Sequence, residues 1–239
     1  MPCCQAVPMG SDWWWTLTLP AGAVRPENVE RLLAVAGTFG LSPARPDGGY
    51  NGFSATGDYR VQDRSQMVAG LATASWGTNV WLGSDVAVSL STERGAQDVV
   101  TLSLDSIYCR RTPDDRAEPF RALHRLLTDL WVALADELGA LFGRVEDEWS
   151  LEQIWAELSD PRLGDAPPPP GAWPEWLSWS TYFDAGRARA LPAVPAELGA
   201  HVRRTPAGAL VLELSDDPAA VDPLRFARLH QVLAGAARG

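Results

Sequence analysis

The chain has no lysine: all 20 of its basic residues are arginine. This excludes a Schiff-base lysine and a P-loop lysine. Cysteine is scarce. Cys3 and Cys4 are adjacent and Cys109 is far away, a spacing that suits neither a disulfide framework nor a zinc site and predicts reduced thiols. His124, His201 and His230 fall in no H-x-x-x-H or H-E-x-x-H pattern, so they read as surface or packing residues. There is no G-x-S-x-G elbow, no G-x-G-x-x-G and no Asp-rich calcium loop with its central glycine. No apolar run approaches the roughly 20 residues needed to span a bilayer. Positive charge is also short: 30 acidic against 20 basic residues leave a formal charge of −10. An acidic surface disfavours direct binding to nucleic acid and favours basic protein partners.

What is present is a long helix signal. Phe120, Leu123, Leu127, Leu130, Leu134, Leu138 and Leu141 recur in steps of three and four. This makes one continuous stripe and predicts a helix over 116–142. Asp114 and Asp115 stand where an N-cap belongs, Pro119 is in the first turn, and Gly143 reads as the stop.

The remaining elements follow from alternation and turn chemistry. Residues 13–19 alternate as a strand, with Trp13, Trp15, Leu17 and Leu19 on one face and Trp14, Thr16 and Thr18 on the other. A helix is predicted over 26–39, a short strand over 50–55 and a weak helix over 64–74. Strands at 78–82, 86–91 and 99–106 are separated by turns at Gly83–Ser84 and Arg94–Gly95, which reads as an antiparallel meander. Residues 145–149 read as a short acidic connector, followed by a helix over 150–158 capped by Ser150. The unbroken Pro167–Pro170 run predicts an extended, stiff link. After it come a strand over 175–183, a helix over 184–191 capped by Asp184, strands at 200–204 and 209–214, and a last helix opened by Pro223.

The expected fold is therefore α+β: an antiparallel sheet against a long helix. A smaller strand–helix–strand–strand–helix unit packs on that sheet or extends it. The expected divisions are a loose tail over 1–10 (with Met9 a second possible start), an N-terminal part over 11–160, a proline-rich connector over 161–174 and a C-terminal part over 175–239. The tail has no basic region and no apolar core, so it does not read as a secretion signal; the expected location is the cytoplasm.

Two groups of residues invite a functional reading. Glu146, Asp147 and Glu148, with Glu152 one turn on, suit a divalent-metal or acid/base site, and equally a solvated helix start favoured by the helix dipole. Eleven tryptophans are present. Such density suits a core, a sugar-binding face or a protein interface. Trp14 points away from Trp13 and Trp15 and must meet something other than their core. Cys109 precedes Arg110 and Arg111, which can lower a thiol pKa, although a buried inert thiol is the alternative.

From Trp176 onward the chain carries an aromatic strand, Leu177–Ser178–Trp179–Ser180–Thr181–Tyr182–Phe183, and a short helix ending near Leu191–Pro192. A Gly208–Ala209–Leu210–Val211–Leu212–Glu213–Leu214 strand follows, and Asp216, Asp217, Pro218 and Asp222 lead into the final helix. This quarter resembles immunity proteins of bacterial polymorphic-toxin and type VI secretion systems, in particular immunity protein 52, although the first half lacks that family's Tyr-Trp-Gly-Pro-Arg opening. The resemblance implies a cytoplasmic, non-enzymatic protein without cofactor or metal that binds and neutralises a cognate toxin, often a nuclease. Expected contact residues are Glu146, Asp147, Glu148 and Trp14. The alternatives are a metal-dependent hydrolase using the three carboxylates, or a carbohydrate- or peptide-binding module using exposed tryptophans.

Overall fold

The computed structural model describes residues 11–54, 56–157, 166–174 and 176–236. The expected tail over 1–10, with Met9, Cys3 and Cys4, lies outside them, as does the start of the connector at 161–165. The strands are β1 (Trp13–Leu19), β2 (Leu41–Ser42), β3 (Tyr50–Ser54), β4 (Gly57–Val61), β5 (Thr78–Leu82), β6 (Val86–Glu93), β7 (Asp98–Leu104), β8 (Phe142–Asp147), β9 (Ser180–Phe183), β10 (His201–Arg204) and β11 (Leu210–Glu213). The α-helices are α1 (Pro26–Thr38), α2 (Arg64–Ala72), α3 (Glu118–Leu138), α4 (Glu148–Glu157), α5 (Ala185–Ala190) and α6 (Pro223–Ala236).

Nine strands form one antiparallel sheet in the order β10-β11-β9-β8-β1-β7-β6-β5-β2, and β3 and β4 form a separate hairpin. The fold is α+β, as the patterning predicts. The second half extends the first sheet: β9 pairs with β8, with Arg144 opposite Thr181 and Val145 opposite Ser180. The proline run is docked, with Pro168 buried and its carbonyl accepting from Arg187 Nε at 2.8 Å.

The α3 stripe lies on the sheet. Phe120, Leu123, Leu127, Leu130 and Leu134 are all buried. Trp15 Nε1 donates to Thr128 Oγ1 and Trp131 Nε1 donates to the Thr16 carbonyl, each at 3.0 Å, which fixes the helix against β1. The helix starts after a turn in which Asp114 caps Arg116 N, and it ends at Leu138. Its stop is Gly139, in the left-handed conformation at φ 66°, four residues before the expected Gly143. Leu141 and Phe142 continue the apolar spacing, but Leu141 leads into β8, with its N donating to the Thr18 carbonyl, and Phe142 is the first residue of that strand.

Gly143 has a different task. A Cβ there would lie 2.7 Å from Trp131 Cζ2 and 2.9 Å from Leu17 Cδ2. The strand carries glycine so that α3 can press on it. Gly143→Ala is expected to cost about 1–3 kcal/mol through overpacking, read as a drop in thermal midpoint. An unchanged midpoint would mean that α3 yields freely at this point.

Other boundaries shift for local reasons. The predicted strand over 175–183 is a strand only from Ser180, although the Trp179 carbonyl already accepts from Leu214 N at 2.7 Å. Before it, Ser178 N donates to Thr181 Oγ1 and Leu177 N to His230 Nε2, so these residues are spoken for outside the ladder. The β2 strand and the β3–β4 hairpin fall in a Gly-, Pro- and Asp-rich stretch where only one strand was expected.

Candidate functional site

Two of the three predicted carboxylates, Glu146 and Asp147, end β8, which lies between β1 and β9, and Glu148 opens α4, so none of them is on a connector. Strand alternation sends Glu146 and Asp147 to opposite faces. Glu146 Oε1 accepts from Trp176 Nε1 at 3.0 Å and from Ser178 Oγ at 2.7 Å. Asp147 is fully buried, and its Oδ1 accepts from Trp179 Nε1 at 2.7 Å. Its Oδ2 accepts from Ser150 N at 3.3 Å, so Asp147, and not Ser150, caps α4. These charge-assisted bonds offset the desolvation that made the triplet look like a surface group. Only Glu148 is exposed. The expectation that all three project outward is thus corrected: two of them hold the sheet, α4 and the segment before β9 together. Trp14 is half-buried in β1, opposite Glu146 and Ser103.

The tryptophans are mostly core. Trp13, Trp15, Trp131, Trp176 and Trp179 are each no more than 3% exposed. Arg144 lies over the Trp176 ring, 4.1 Å from its centroid, beneath the segment that covers this half of the sheet. A sugar platform of several exposed indoles is not found among the described residues; Trp149 is the exposed one. The Trp155 side chain lies outside the described residues.

Trp149 sits at one corner of the molecule with Ile107 and Arg111. The corner is built on Asp12. Its Oδ1 accepts from Ser106 N at 2.7 Å and its carbonyl from Glu148 N at 3.0 Å. Ser11 Oγ accepts from Trp149 N at 3.0 Å. Ile107 follows Ser106 in a one-turn 3₁₀ helix that Asp105 caps through Ile107 N. The Arg111 guanidinium carbon lies 3.2 Å from the Trp149 ring centroid, and burial depresses its pKa against the fields of Asp147, Glu148 and Glu152. Cys109 lies beside them. Burial, reinforced by Asp12, Asp105 and Asp147, pushes its thiol up to about 12. The inert-thiol alternative therefore holds over activation by the neighbouring arginines.

A cleft of about 480 Å³ opens between the first half of α3 and the β10–β11 hairpin. Its charges are already matched: Arg121 with Asp217 at 2.8 Å, Arg125 with Glu118 at 2.6 Å, Arg203 with Glu213 at 3.4 Å, and His201 beside Asp216 at 2.9 Å. Such internal pairing leaves little net field for a charged ligand. Among the described residues no group of three or more His, Cys, Asp or Glu side chains is placed to hold a metal ion.

His124, at the cleft floor, packs edge-on to Trp13 at 4.6 Å. The residue as a whole is partly buried, but its Nε2 is sealed from water and has no hydrogen-bond partner among the described residues. Desolvation, helped by Arg125 and opposed by Asp217, lowers its pKa to about 3. The folded state therefore resists protonation that the unfolded chain accepts near 6.5. Stability present above that value is lost as the pH falls toward 3. His230, lowered mainly by burial, acts in the same direction. The melting midpoint is expected to fall on going from pH 7 to pH 5, and His124→Leu to flatten that fall. An equal fall in the variant would assign the effect elsewhere.

The family-model scan and the search of curated proteins each find no match. Among solved structures the chain is similar to the Pseudomonas aeruginosa T6SS protein PA0821. The likeness has a TM-score of 0.51 at 13% sequence identity and covers 94% of this chain and 73% of that one. At that identity the likeness is one of fold.

Proposed function

We propose that this chain is a non-enzymatic immunity protein of a polymorphic-toxin or type VI secretion system, related to immunity protein 52, that neutralises a cognate toxin in the cytoplasm by binding it. The observation that carries this reading is the fold shared over 94% of the chain with a T6SS protein. The immunity-like pattern over the C-terminal quarter points the same way. The site chemistry is compatible. Glu146 and Asp147 are committed to tryptophan and serine donors and are not free to work as an acid/base pair. The partner in this reading is basic, such as a nuclease, because a chain of net charge −10 meets a cationic protein quickly by electrostatic steering. Glu148 remains the member of the acidic triplet available for contact, and Trp14 the half-exposed aromatic of β1.

The test is co-expression. The cognate toxin is sought as a toxin-domain gene next to this one, and cells producing it should grow when this chain is also produced and die when it is not. Equal killing in both cases would reject the proposal.

A further inference from the structure

We propose that the corner formed by Ile107, Arg111 and Trp149, ringed by Asp105, Glu148 and Glu152, is the surface that contacts a basic polypeptide partner. The proposal rests on the immunity reading, in which that partner is the toxin.

The first argument is exposure. Among the described residues the large hydrophobic side chains left at the surface are Ile107 at 78%, Trp149 at 40%, Val202 at 50% and Leu224 at 62%. Two of these four flank Asp12, whose side chain and carbonyl hold the backbones next to them. Both apolar groups therefore stand on fixed backbone. The Trp149 indole is further clamped by the Arg111 guanidinium stacked on it. A rigid anchor loses little freedom on binding, and aromatic residues with arginine are the side chains that dominate interface energies.

The second argument is charge. Asp105, Glu148 and Glu152 are exposed and form no ion pair among the described residues. Arg111 likewise has no carboxylate within ion-pair distance there, and its Nε finds no hydrogen-bond acceptor. Arg111 lies in the field of Glu148 and Glu152 but pairs with neither, so the rim keeps a net negative charge that an outside cation can meet. The cleft beside α3, by contrast, neutralises its own charges. Val202 lies between His201 and Arg203 in an edge strand that ends in Arg204, and such cationic edges discourage pairing. An apolar centre with an unneutralised acidic rim fits a partner that offers an apolar pocket surrounded by lysine or arginine.

The experiment uses the full chain and, as probe, a catalytically dead form of the toxin encoded beside it, with affinity and association rate measured at low and high salt. The double variant Ile107→Ser, Trp149→Ala should lose affinity by about 100-fold or more. The triple variant Asp105→Asn, Glu148→Gln, Glu152→Gln should slow association by about 10-fold at low salt, with the difference shrinking at high salt. Melting curves of both should match the parent, and Val202→Ser should bind as the parent does. If the parent binds and the double variant binds equally well, this surface is wrong and the immunity reading stands. If the parent does not bind the toxin at all, the immunity reading falls and the partner assigned here falls with it.

Discussion

A chain ended at Glu157 is expected to aggregate or to give no cooperative melt. The cut removes β9, β11 and β10, and it leaves β8 as an unpaired edge in the middle of what was one sheet. It also strips Glu146 of both its donors, Trp176 Nε1 and Ser178 Oγ, and Asp147 of Trp179 Nε1. Each charge-assisted bond of this kind is worth about 1.5–3 kcal/mol, and leaving the acceptor buried costs more. The α4 helix loses α6, the helix it packs against. Together these losses are comparable with the roughly 5–15 kcal/mol that stabilises a typical domain. Size-exclusion chromatography and a thermal melt of residues 1–157 would check this. A soluble monomer melting like the full chain would show that the two halves fold independently.

Trp179→Ala is expected to be the most damaging single substitution, at about 3–5 kcal/mol. Trp179 is 2% exposed, stacks on Phe226 with centroids 4.5 Å apart, and donates to Asp147 Oδ1 at 2.7 Å and Ser150 Oγ at 3.0 Å. Trp179→Phe separates the two contributions. It keeps most of the apolar volume but removes the donor, and should cost about 1–3 kcal/mol for the unsatisfied carboxylate. Denaturant melts of the two variants measure the split. If Trp179→Phe melts like the parent, Asp147 is satisfied without the indole, and the network drawn around it is wrong.

Much of the fold was legible because it depends on local pattern. The α3 stripe, the strand boundaries at 78–82, the Asp184 cap and Pro223 at the start of α6 all follow from spacing and capping. The β8 strand was not legible. Its Glu146 and Asp147 read as solvent-facing, since nothing local reveals that Trp176, Ser178 and Trp179, about thirty residues later, supply donors to the two carboxylates. Its apolar start also continues the helical period of α3, which moved the expected stop from Gly139 to Gly143. The candidate site was half-legible for the same reason. Glu148 stands out in the sequence by its charge, and its exposure agrees with the solvated reading of that charge. Ile107 carries no sequence signal, because its exposure is set by Asp12 and Asp105 fixing a one-turn helix.

In the proposed reading this chain acts by binding and not by turnover. The most direct test is to titrate the purified chain against the activity of the purified toxin encoded beside it. Activity should fall linearly to zero at a fixed molar ratio, and return when the complex is separated in denaturant and the toxin refolded. Loss of activity at far less than an equimolar amount, with the toxin left chemically altered, would contradict it.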